Sequence, residues 1–86
     1  MAYRVRGRHV LGRVVEGSEA ARVVYHVLEL LADDPYNDPP RNALSIDRDP
    51  EHPEFFIVAL GKHGVLRYWV DGRDGFLNLL DLVLLD

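Results

Sequence analysis

The sequence predicts an α+β fold: a small, mostly antiparallel β-sheet of about four or five strands, with one main amphipathic helix, about residues 18–32, packed on it. Two observations carry this. Phe55 to Val70, FFIVALGKHGVLRYWV, sets two short apolar runs on either side of Gly61-Lys62-His63-Gly64, the pattern of a strand pair joined by a glycine-bounded turn. Ala20, Val23, Val24, Val27, Leu28 and Leu31 recur at the spacing of one helix face. Eighty-six residues suffice for one domain, 1–86, near the size at which a single core is only just adequate.

Taken in order, Tyr3 to Val15 alternates Val5 against Arg4 and Arg6, as an outer strand would, with Arg4, Arg6 and Arg8 directed to solvent. Gly7 and Gly12 interrupt it, so it reads as one bulged strand or a short hairpin. Ser18 suits a helix N-cap, and Glu19 in the first turn complements the helix dipole. Burying the stripe that follows contributes on the order of 10 kcal/mol before the entropy of ordering is set against it. Asp33-Asp34-Pro35 ends the helix, because proline disfavours helical geometry in the residue before it. The two acids sit against the negative end of the dipole, so helix stability alone does not explain them.

Tyr36 to Arg41 is a polar, proline-rich loop, and a strand over 43–47 follows with Leu44 and Ile46 on one face. Asp49 to Glu54, DPEHPE, is a stiff acidic connector. In the strand pair, Phe55, Ile57 and Ala59 share one face while Phe56, Val58 and Leu60 share the other; Tyr68 and Trp69 likewise point to opposite sides. Neither strand has a clean polar face, which predicts central strands covered on both sides by a helix, a second layer or a partner chain. Asp71 to Gly75 is a turn cluster. In the tail FLNLLDLVLLD, residues 76–86, Asn78 and Asp81 lie three apart, a spacing that favours helix slightly over strand. So apolar a segment must pack on the sheet or on a second copy of the chain.

Several function classes lose support. Net charge is −4, with nine Arg and one Lys, which argues against nucleic-acid binding. The chain lacks cysteine and any apolar run long enough to span a bilayer, and it opens on Met1-Ala-Tyr-Arg; a cytoplasmic protein without membrane contact is expected. Asp47, Asp49, Glu51 and His52 resemble hard-metal ligands at first sight, but the glycine and distal glutamate of a calcium loop are missing. His9, His26, His52 and His63 fall on four different elements. Ser18 and Ser45 lack a nucleophile-elbow context, and no glycine-rich phosphate loop is present. No metal, no cofactor and no catalysis are expected.

Gly61-x-x-Gly64-Val65-Leu66-x-Tyr68, following an apolar strand, resembles the hairpin of the deaminase-associated immunity proteins of bacterial polymorphic toxin systems. The helix and acidic loop ahead of it, Ser18 to Arg41, match that family's order of elements. The resemblance covers about a third of the chain, and FLNLLDLVLLD stands where the family has an aromatic-Ser-x-Gly segment. It implies a non-catalytic α+β protein that binds and blocks one cognate toxin domain inside the producing cell. Acidic connectors suit a basic toxin cleft, so the expected partner-binding residues are Asp33, Asp34, Tyr36, Asp38, Asp47, Asp49 and Glu51. The alternative expectation is a homo-oligomeric accessory or structural protein, assembled as a homodimer or larger through Phe76, Leu77, Leu80 and Leu84 of the tail.

Overall fold

A computed structural model of the chain describes residues 2–37 and 42–85. The elements in order are β1 (Arg4–Arg6), a 3-10 helix (Arg8–Arg13), α1 (Glu19–Asp33), β2 (Ile46–Arg48), β3 (Phe55–Ala59), a 3-10 turn (Gly61–His63), β4 (Gly64–Asp71) and β5 (Phe76–Leu84). They form the expected α+β fold, a five-stranded sheet in the order β1-β5-β4-β3-β2 with α1 across one face. All neighbours are antiparallel except β1 and β5, which run parallel.

The helix begins where its cap allows. The Ser18 hydroxyl accepts from the Ala21 N–H at 3.0 Å and donates to the Val15 carbonyl at 2.6 Å, which satisfies one of the free donors of the first turn. Ala21, Val24, Val27, Leu28 and Leu31 are buried against the sheet. Asp34 closes the helix, donating its N–H to Leu30 O, and Pro35 prevents continuation. From the sheet, Phe56, Val58, Leu60, Leu66, Tyr68, Val70, Leu77, Leu79 and Leu82 complete the core, with Leu11 of the 3-10 helix beside them.

Two expectations are corrected. The N-terminal segment is not one bulged strand or a hairpin. Gly7, at φ 82°, turns the chain in a left-handed conformation after only three strand residues, and Arg8–Arg13 coils into a 3-10 helix that buries Leu11. The C-terminal segment is strand, not helix: β5 pairs with β4 along its whole length and with β1 on its other edge. The spacing of Asn78 and Asp81 has a different cause. Tyr68 pairs with Leu79 and Arg67 with Asp81, so Leu80 is an extra, bulged residue, and the bulge places Asn78 and Asp81 on one face although they lie three apart.

The strand expected over 43–47 is observed at 46–48, with Leu44 and Ile46 both packed against the core as their spacing implies. No helix among the described residues is long and apolar enough to cross a membrane.

Candidate functional site

Two surfaces stand out: one end of the sheet, where acidic connectors gather, and the face of the sheet away from α1. The end follows from the strand directions. The helix C-terminus, the β2–β3 connector and the β4–β5 turn all open at the same end, because β2 and β4 run toward it and β3 and β5 away from it. Tyr3, just before β1, donates its N–H to Ala32 O at 2.6 Å and fixes the helix terminus there. The buried Tyr68 hydroxyl donates to Pro35 O at 2.8 Å and anchors the loop after the helix to the centre of the sheet. Burial first, and Asp34 second, push the Tyr68 phenol well above the usual tyrosine range, so it stays a neutral donor.

Tyr36 sits in the middle of this end. Its ring meets Phe56 edge-on at 5.8 Å between centroids, and it remains 39% exposed. Partial burial, followed by its neighbour Tyr3, raises its pKa; Arg48 acts in the opposite direction. A side chain at Gly72 would crowd the Tyr36 hydroxyl, so the β4–β5 turn lies directly against it. The same end carries Asp33 and Asp34 from the helix terminus, Asp49, Glu51 and Glu54 from the connector, and Asp71 and Asp74 from the turn, with Asp71 close enough to act on the Tyr36 phenol. Seven of the chain's fourteen acidic residues are therefore carried at one end.

These carboxylates are not equivalent. Asp34 accepts from Asn37 N–H, Asp49 from the N–H groups of Glu51 and His52, and Asp71 from Asp74 N–H, so each shapes its own turn. Asp33, Glu51, Glu54 and Asp74 are exposed. Asp47 lies apart from them: it pairs opposite Ile57 and faces the other side of the sheet. Asp38 lies outside the described residues. Among the described residues no group of three or more His, Asp or Glu is placed to hold a metal, and the Asp47-Asp49-Glu51-His52 set is divided between a strand face, for Asp47, and the connector turn, for the other three.

The sheet face away from α1 carries Phe55, Ile57 and Ala59 of β3, Val65, Arg67, Trp69 and Asp71 of β4, and Phe76, Asn78, Asp81 and Val83 of β5. None of these reaches the burial of the core residues beside them, and Leu80 and Val83 are each 42% exposed. Among the described residues, the strands are thus covered on one side and not on both. Of the four tail residues expected at an interface, Phe76 and Leu80 lie on or beside this face, with Phe76 under the Arg6 guanidinium at 3.3 Å. Leu77 is fully buried beneath α1, and Leu84 packs against the core at the sheet's far end; an apolar tail in a strand necessarily sends alternate residues inward. The sequence showed grease on both faces but gave no means of telling which face α1 would take.

Elsewhere, Arg22, Tyr25, His26 and Glu29 on the outer side of α1 line an open groove of about 810 Å³ with Val14 and Glu16. The one buried side-chain nitrogen without a partner among the described residues is Asn78 Nδ2, on the sheet. His63 is buried in the β3–β4 turn with Nε2 3.9 Å from a Glu19 carboxylate oxygen.

The residues that carry the family resemblance have structural roles here. Gly64 takes φ 137° where a side chain would meet the Val83 carbonyl, Leu66 is core, and Tyr68 holds the helix-terminal loop. No protein-family model, no curated protein and no solved structure matches this chain.

Proposed function

We propose that this chain is a non-catalytic protein-binding module of the immunity type, which captures a basic partner domain, a toxin in the sense of the resemblance, at its acidic end. The observation that supports this reading best is the convergence of three connectors from different parts of the chain on one end, with half-exposed Tyr36 among their carboxylates. An aromatic ring held between two anchored loops loses little freedom on binding, and surrounding charge of one sign steers a basic partner and speeds its association. Arg48 and Arg73 temper the charge of this end without reversing it.

Reversal of the exposed acids tests the surface without touching the turn-forming ones. The variant D33K/E51K/E54K/D74K keeps Asp34, Asp49 and Asp71. Co-produced with the protein encoded beside it, the parent chain should co-purify and protect the host, while the variant should bind at least about tenfold more weakly, mostly through slower association at low salt. Equal capture and protection by both chains would remove the acidic end from the function.

A further inference from the structure

We propose that the open sheet face is covered by a second copy of this chain, in a symmetric dimer with the two sheets face to face and the helices outside. This goes beyond partner capture at the acidic end and uses a different surface.

Three features favour a second copy over an unrelated partner. The first is charge. The chain carries −4 overall, yet the open side of the sheet holds Arg4, Arg6 and Arg67 against Asp47, Asp71 and Asp81, three of each sign. A face that is neutral within an acidic protein is the one across which two copies can meet without net repulsion.

The second is arrangement. Arg67 and Asp81 are directly opposite on the adjacent strands β4 and β5, near the middle of the face. A two-fold axis parallel to the strands and passing between β4 and β5 sets Arg67 of each copy over the partner's Asp81, giving two reciprocal charge pairs. The same operation sets Val65 over the partner's Val83. An isologous interface requires such self-complementarity, and this pair of strands supplies it.

The third is extent. Strands spaced about 4.8 Å apart, with same-face residues about 7 Å apart along each, make this face roughly 20 by 25 Å. Two such faces bury at least about 1,000 Å², where stable interfaces begin. Aligned sheets pack with their mean strand directions about 30° apart, which leaves the central row in register while the corners splay.

Light scattering and sedimentation across micromolar concentrations test the proposal through exchanged charges. The parent chain should have the mass of two copies. R67D and D81R should each raise the dissociation constant at least about tenfold, because each places like charges opposite one another, with circular dichroism establishing that both remain folded. An equimolar mixture of R67D and D81R should regain the double mass, since each copy then offers the other the opposite charge. A monomeric parent, single variants that dimerise like the parent, or a mixture that stays monomeric would each overturn the proposal. A monomeric parent would leave the face to a different protein.

Discussion

Tyr68→Phe isolates the contact that fixes the acidic end. The substitution keeps the ring, which stacks on Phe56 at 5.4 Å and 14°, and removes only the hydroxyl that donates to Pro35 O at 2.8 Å. Tyr68 and Pro35 are both fully buried, so water cannot replace the donor. The cost is the hydrogen bond plus the desolvation of an unsatisfied carbonyl, about 1–2.5 kcal/mol together. For a domain of this size that lowers Tm by roughly 5–15 °C. Urea unfolding followed through the fluorescence of the single tryptophan, Trp69, measures it. The pH dependence supplies a second readout. Burial raises the Tyr68 pKa above its unfolded value of about 10, so between the two the unfolded chain binds fewer protons and stability falls as pH rises. The full contribution is present below pH ~10 and is lost above it, with a slope approaching ~1.4 kcal/mol per unit. Phenylalanine cannot titrate, so the parent's advantage should narrow above pH 10, leaving only the shallower dependence from Tyr36. A variant as stable as the parent, or a gap constant from pH 7 to 11, would refute the account.

Gly64→Ala should cost more than about 3 kcal/mol, because φ 137° strains any other residue and the new Cβ runs into the Val83 carbonyl; denaturant unfolding, with exchange of the β4–β5 amides, reads the loss. Asn78→Val should raise stability by about 1 kcal/mol, since it replaces a buried nitrogen that has no acceptor with a residue suited to a strand; thermal unfolding at low protein concentration checks this. Ser18→Ala should lower stability by about 1 kcal/mol through loss of the cap to Ala21, visible in the same measurement.

The parts legible from sequence were those governed by local periodicity. The helix stripe and its serine cap, and the strands on either side of Gly61 and Gly64, fall within a residue or two of the reading. Misread segments depend on distant partners. Nothing between Phe76 and Leu84 reveals that β4 and β1 lie on its two sides, and the bulge at Leu80 makes a strand imitate helical spacing. At the N-terminus, one glycine in a left-handed conformation outweighs the alternation around it. The acidic residues are plain in the sequence, but their convergence follows from the strand directions. Asp47 shows why: it lies within β2, opposite Ile57 on the open face, whereas Asp49, two positions on, has left the strand and shapes the connector at its end.

The two surfaces interact through the direction of the proposed axis. A two-fold parallel to the strands maps each end of the sheet onto the same end of the partner, so both acidic ends lie side by side. Repulsion between them opposes pairing, while the Arg67–Asp81 pairs favour it. Salt does not treat the two alike. The carboxylates of the acidic ends are mostly exposed and belong to sheets about 10 Å apart, close to the Debye length of about 10 Å at 0.1 M salt. The charge pairs at the middle of the face are enclosed by Val65, Ile57, Trp69 and Val83 and are screened far less. Raising salt from about 0.01 to 0.15 M therefore removes much of the repulsion and little of the attraction, and the dimer tightens. A two-fold perpendicular to the strands would hold the acidic ends apart but set β4 over β4, bringing Arg67 toward the partner's Arg67 instead of its Asp81, so raising salt would bring no comparable tightening; sedimentation at the two ionic strengths separates the two axes.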